Sequence, residues 1–222
     1  MRAAPILPQA HHRRPPLPLD STFLCDYLPR MTAAAQMLEI PEVRARISPV
    51  TVAQYHQFPE RNENGRRTEL IRGVVIEKMS KSPLHANIVS AIYELLHPQV
   101  PADFWLRQDQ PLTLRDSEPE PDISVVRGKR ATFATRHPST AALVVEIAVT
   151  SAAEDRSLAS LYAEAGVEEY WIVLPALRRV EVYRHPEAGA YRDRSVVEAD
   201  TTLECAAIPA IRLRLAELFG AQ

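Results

Sequence analysis

Lysine is nearly missing from this chain of 222 residues: Lys78, Lys81 and Lys129 are the only three, and every other basic position except histidine is arginine. Cysteine is scarcer still, with Cys25 and Cys205 far apart, which argues against a disulfide framework and fits a reducing, cytoplasmic setting. No Cys/His spacing resembles a zinc site. Long apolar runs are missing too, since Glu or Arg interrupts each one well before the ~18 residues that a membrane span needs. A signal peptide is not visible: His11-His12-Arg13-Arg14-Pro15-Pro16 stands where its apolar segment should be. Aromatic residues make up 6%, too few for the sugar platform of a two-carboxylate glycosidase. The net charge is −2, so a nucleic-acid partner would have to be held by a local basic patch or by bridging metal ions.

What remains is ordinary for a globular domain: 46% hydrophobic and 24% charged residues, enough for one substantial core plus a tail. Residues 1–30 are Pro-rich without sustained periodicity and read as disordered or loosely attached, with Met31 as a candidate start. The expected organisation is a leader over residues 1–48 and one domain over residues 49–222. Short helical pieces are expected between 31 and 60, with Thr51 as an N-cap. Glu69–Met79 reads as two short strands broken at Arg72-Gly73. A helix follows from His85 to His97, because Ile88, Val89, Ile92, Leu95 and Leu96 form one stripe that stops before Pro98.

Strands are expected within Phe104–Leu114, at Asp122–Val126 and at Leu143–Val149, the last being the most apolar and therefore central. Ser151-Ala152-Ala153-Glu154 matches a capping box, and the helix behind it buries Leu158, Leu161, Tyr162 and Ala165 until Gly166 ends it. Tyr170–Leu174 and Arg179–Arg184 pair as a hairpin, a last strand lies near Tyr191–Val197, and a short helix closes the chain. No internal repeat is visible. The order predicts an α/β fold, a mixed sheet flanked by a few helices.

The chemistry lies in the carboxylates. Glu146 interrupts Leu143-Val144-Val145 and Ile147-Ala148-Val149, and an unpaired charge inside a buried strand is far too costly to stand alone. Asp122 follows Pro121 at the start of another strand, and Glu69 opens an earlier one. Three such acids meeting at a sheet edge would suit Mg²⁺ or Mn²⁺, with the Ile147 carbonyl as a further oxygen donor. A metal so held would polarise a phosphate and lower the pKa of a bound water, which points to phosphodiester hydrolysis.

Several fragments stand in one order: Glu69-Leu70-Ile71-x-Gly73, Ser82-x-x-His85, Pro119-x-Pro121-Asp122-Ile123, Val145-Glu146-x-x-x-x-Ser151, Asp155-Arg156 and Tyr162-x-x-x-Gly166-x-x-Glu169-Tyr170-Trp171-Ile172-Val173. Together they resemble the Uma family of restriction endonucleases in the PD-(D/E)XK superfamily, over roughly residues 50–220. The resemblance implies a restriction-endonuclease-like core, a DNA substrate and a divalent metal. It also implies Asp122 and Glu146 as metal-binding acids and Glu69 as an accessory catalytic acid.

One departure stands out. The family pattern Asp-Arg-x-x-Lys-x-x-x-Tyr is here Asp155-Arg156-Ser157-Leu158-Ala159-Ser160-Leu161-Tyr162, one residue shorter and without lysine. A lysine there would stabilise charge developing on the phosphate, and no lysine follows Lys129. Leu174 likewise replaces a common family Asp.

Plainer roles stand beside these. Asp122 after Pro suits a turn, Glu146 pairs as well with an arginine such as Arg156, and Glu69 is equally a solvated strand-edge residue. His85 is an accessory catalytic candidate or a helix-start histidine, Arg156 is a second accessory candidate as a source of positive charge, and His97 sits at a helix C-terminus where it meets the helix dipole. Tyr170-Trp171 reads as core rather than as a base-stacking pair. Arg127, Lys129 and Arg130, with Arg136, Arg61, Arg66 and Arg67, flank the acids in sequence and are candidates for phosphate contact. The expected activity is a metal-dependent DNA endonuclease working as a homodimer, or a nuclease fold that binds DNA or a protein without cutting.

Overall fold

A computed structural model describes residues 33–220 of the chain. The Met31 start, the disordered reading of residues 1–30 and Cys25 lie outside the described residues. The chain divides at Ser48 and Pro49 into two units. The described part of the first holds two short helices, α1 (Ala33–Leu38) and α2 (Pro41–Arg44). Pro41 begins α2, where its missing N–H would be unsatisfied anyway.

The second unit starts with one helical turn, α3 (Val52–Tyr55), and Thr51 closes a full capping box with Gln54. A hairpin follows, β1 (Thr68–Ile71) and β2 (Val74–Glu77), turning on Arg72 (φ 52°) and Gly73 (φ 74°). Two successive left-handed residues match the right-handed twist of the flanking strands. This hairpin is its own two-stranded sheet rather than part of the central one. A bridge between Leu70 and Glu118 and a Gly73 N–H donated to the Asp116 carbonyl (2.9 Å) tie it to the segment that leads into the strand at Ile123–Arg127.

Helix α4 (Pro83–Leu96) has Ser82 as its N-cap and buries Ile88, Val89, Ile92 and Leu96. Each such side chain contributes on the order of 1.5–3 kcal/mol when removed from water. Then come β3 (Phe104–Gln108), β4 (Ile123–Arg127), β5 (Leu143–Ile147), α5 (Ala152–Glu164), β6 (Glu169–Leu174), β7 (Arg179–Glu187) and β8 (Ala190–Glu198). These strands make a six-stranded sheet in the order β3-β4-β5-β6-β7-β8. Only β5 and β6 run parallel. A parallel pair needs a crossover, and α5 is that crossover.

The expected mixed α/β sheet is the observed one, with β5 and β6 fully buried at its centre. Two short strands after β8 went unread in the sequence: β9 (Thr202–Glu204) and β10 (Arg212–Arg214), paired with each other ahead of the final helix α6 (Leu215–Gly220).

Alternation along the strands splits the core in two. Leu143, Val145 and Ile147 pack with Ile123 and Val125 on the α4 face. Val144, Ala148 and Val126 pack with Leu161, Tyr162 and Tyr170 on the α5 face. Tyr170 and Trp171 are both fully buried, one in each layer, so they serve the core. The capping box expected at Ser151 does not form, because that hydroxyl donates to the Asp155 carboxylate (2.7 Å) rather than accepting from the helix start.

Candidate active site

The β4–β5 register places the two acids together. Ile123 lies opposite Val145 in an antiparallel pair, so Asp122, one step earlier, falls opposite Glu146. Directly opposed residues point to the same face, here that of α5. The Asp122 N–H donates to Glu146 Oε2 (3.1 Å), and the Ile147 N–H donates to Asp122 Oδ2 (2.8 Å). From α5, the Tyr162 hydroxyl donates to Glu146 Oε1 (2.9 Å). Both carboxyl groups are buried, and each of their oxygens has at least one hydrogen-bond partner.

Cations arrive from the segment between β2 and α4. Lys81 Nζ lies 2.8 Å from Asp122 Oδ1 and also binds Asp109. His85, in the first turn of α4, places Nε2 3.0 Å from Asp122 Oδ2. Alongside, Lys78 Nζ bridges Glu69 Oε1 (2.5 Å) and Glu120 Oε2 (3.1 Å). The Glu120 N–H donates to Glu69 Oε1 (3.1 Å), and Arg67 reaches Glu120 as well (2.7 Å). Glu69, Lys78, Lys81, His85, Glu120, Asp122 and Glu146 line a cleft of ≈ 290 Å³ that also admits Asp155 and Leu158 of α5.

The two opposed acids are driven apart electrostatically. Burial, with the neighbouring Asp122 and Asp155 charges, pushes the Glu146 carboxyl well above the usual carboxylate range. Burial acts on Asp122 in the same sense, but the His85 hydrogen bond and the Lys81 ammonium outweigh it and hold that carboxyl low. Asp155 is pushed up to about 6, mainly by burial, the Asp122 charge adding to it. Burial also raises Glu69 despite Lys78. Carboxyls with diverging pKa values in one cleft are what acid–base and metal sites exploit.

Glu69, His85, Asp122 and Glu146 thus share one cleft. Arg156 does not join them. Each helical residue turns the side chain by about 100°, so Asp155 faces the cleft while Arg156 faces β7. There its guanidinium pairs with Glu181 (2.7 Å). Glu146 accordingly has Tyr162 and a backbone N–H as partners, and not an arginine. Arg127, Lys129 and Arg130 follow the far end of β4, about 16 Å of strand away from Asp122. Arg127 is engaged there by Glu168 (2.9 Å) and lies over the Phe104 ring.

Sequence reasoning overlooked Lys81, Lys78, Glu120, Asp155 and Tyr162. For the lysines a signal existed: two of the three in the chain stand just ahead of His85. The cleft therefore does hold ammonium groups, delivered by the segment between β2 and α4 and not by α5. Among the described residues, no group of three or more His, Cys, Asp or Glu side chains is arranged to hold a metal ion.

A mixed sheet with two opposed buried acids at adjoining strand ends and a lysine on one of them fits a restriction-endonuclease-like α/β fold. A family model described as Uma2, "Putative restriction endonuclease", matches residues 52–216, and the chain belongs to that family. Among solved structures it is similar to "a putative nuclease belonging to DUF820 from Anabaena variabilis ATCC 29413". That likeness has a TM-score of 0.64 at 22% identity and covers 78% of this chain and 98% of the other, a likeness of fold. The curated proteins give no match.

Proposed function

We propose that this chain is a divalent-metal-dependent DNA endonuclease in which Asp122 and Glu146 hold the metal, Glu69 assists, and Lys81 supplies the positive charge beside the scissile phosphate. The observation that carries the reading is the Lys81 ammonium 2.8 Å from Asp122, directly across the ladder from Glu146.

The donor set fits a hard cation. Two carboxylates and the Ile147 carbonyl are oxygen donors, and Mg²⁺ is usually bound by one or two carboxylates, with water and substrate phosphate completing its shell. The same fit accounts for the lack of a three-residue cluster among the described side chains. Glu146, raised first by burial and further by its acidic neighbours, is the group a dication would relieve. When bound, such an ion polarises the phosphate and acidifies a water.

The chain's own residues do the rest. His85 and Lys81 keep Asp122 ionised and fix its two oxygens. Tyr162 and the Asp122 N–H orient Glu146. Lys78 holds Glu69 and Glu120 at the cleft wall. Lys81, partly exposed, can turn from Asp109 toward a phosphate oxygen as negative charge grows there.

Incubation of supercoiled plasmid with the protein and Mg²⁺ or Mn²⁺ tests this. Nicking by the wild type should fall by at least about 10³-fold in Asp122→Ala and Glu146→Ala, as when groups that act only in the transition state are removed. Nicking that persists in both variants would place the activity elsewhere. A second reading, a binding module that does not cut, draws support from the apolar residues at the family's lysine position. These are Ala159 when aligned from Asp155 and Leu158, which lines the cleft, when aligned from Tyr162. It predicts DNA binding with neither cleavage nor calorimetric Mg²⁺ binding.

A further inference from the structure

Beside the acidic cleft runs a larger groove of ≈ 1260 Å³. The two are continuous: Glu120 lines both, and Asp109 of the groove shares Lys81 with Asp122. Two aromatic platforms stand on its walls. Phe58 is 46% exposed and braced edge-on by Tyr55, whose hydroxyl is tied to the Thr68 carbonyl (2.6 Å). Phe133 is stacked on Trp105 with ring centroids 6.0 Å apart.

Of the carboxylates lining the groove only Glu60 is without a partner among the described residues, set against two arginines without one. Glu118 accepts from Thr113 (2.7 Å) and bonds His56 (2.8 Å), Glu120 is held by Arg67 and Lys78, and Asp109 by Lys81. Arg61 and Arg136 have no carboxylate partner among the described residues, and Arg61 bonds only a carbonyl, that of Gly65. Behind the wall lies Arg107, 2% exposed. It donates to Gln110 Oε1 (3.1 Å) and the Pro111 carbonyl (3.0 Å), both groove residues, and to His137 Nδ1 (3.4 Å). Its Nη1 has no partner, and no carboxylate meets the guanidinium among the described residues. An uncompensated buried cation leaves positive potential behind the groove, and burial pulls this guanidinium down to about 10.

We propose that this groove binds a single DNA strand leading away from the cleavage site, with unpaired bases stacked on Phe58 and Phe133 and phosphates on Arg61 and Arg136. The assignment rests on the endonuclease reading above for its direction, since the groove opens onto the candidate scissile position. Aromatic faces interleaved with arginines suit unpaired bases, whose π-faces are open, better than a stacked duplex. The nuclease would then favour substrates with unpaired nucleotides beside the cut: flaps, gaps or bubbles.

Fluorescence anisotropy with the full chain and a labelled single-stranded oligonucleotide, in metal-free buffer, tests it. Phe58→Ala and Arg136→Ala, both at exposed positions, should each weaken binding by roughly ten- to hundredfold. Arg192→Ala, on the distant β7–β8 hairpin, should bind as the wild type does. Retained wild-type affinity in both groove variants, tighter binding of the matching blunt duplex, or tighter binding of RNA of the same sequence would each overturn the proposal. The two readings fail separately. Plasmid nicking that depends on Asp122 without strand binding by the wild type sinks the groove and spares the nuclease. Groove-dependent strand binding without metal-dependent nicking does the reverse.

Discussion

Replacing Lys81 with methionine removes the cation nearest Asp122 while keeping the length of the side chain. At the observed 2.8 Å the pair is worth about 6 kcal/mol by Coulomb's law at an effective permittivity of about 20. The Lys81 side chain is 31% exposed, and hydration and lost side-chain entropy cancel most of that sum. Asp122 also keeps the His85 and Ile147 donors. A net stability loss of about 1 kcal/mol follows, which in a domain of this size lowers Tm by roughly 2–4 °C. The effect on turnover should be far larger, a fall of about 10²–10³ in the Mg²⁺-dependent nicking rate, as for loss of one preorganised charge-stabilising group. The pH profile gives a second readout. Without Lys81, burial acts on Asp122 with less opposition, so its carboxyl rises. Activity that needs ionised Asp122 is lost as pH falls through that pKa, so the acid limb must move to higher pH. Lys81→Arg, which keeps the charge, should recover part of the rate. A methionine variant with wild-type rate and an unmoved acid limb would refute the reasoning and leave Lys81 a mere structural partner.

Tyr162→Phe leaves Glu146 Oε1 without its hydroxyl donor in a fully buried place, which costs about 1–3 kcal/mol. Thermal denaturation followed by circular dichroism should show a Tm lower by roughly 2–10 °C, and an unchanged Tm would mean that the hydroxyl orients nothing. Glu181 offers a pH test away from the site. Its carboxyl is held at about 2, first by the Arg156 hydrogen bonds, against an ordinary value of 4.5. The folded pKa lies below the unfolded one, so this stabilisation is complete above about pH 4.5 and vanishes as pH falls toward 2. Glu181→Gln should therefore be destabilised against wild type in urea melts at pH 7, with the gap shrinking steadily as pH falls from about 4.5 toward 2; a gap that does not shrink over that range would contradict the assignment.

Local pattern made much of the fold legible. The stripe of Ile88, Val89, Ile92 and Leu96 marked α4, the apolar run around Glu146 marked the central strand, and Arg72-Gly73 marked the hairpin turn. Interior charge made Glu146 conspicuous because no isolated strand could carry it. Other features were invisible for physical reasons. Asp155 and Arg156 are neighbours in sequence, yet helical rotation sends one into the cleft and the other to Glu181. Arg127, Lys129 and Arg130 follow Asp122 closely, yet an extended strand carries them to the opposite end of the sheet. Tyr162 read as a core residue, and it is one, but its hydroxyl reaches Glu146 because α5 crosses over the end of β5.

The sequence by itself determined the family resemblance, the mixed sheet and the carboxylate inside its central strand, since strand alternation and helical periodicity are properties of consecutive residues. It also showed that α5 carries no lysine. Only the tertiary structure decided that the site has one regardless. The loop between β2 and α4 closes against the start of β4, and Lys81 meets Asp122 across 41 residues of chain. Ion pairing depends on distance in space, and no local periodicity records which loop will arrive there.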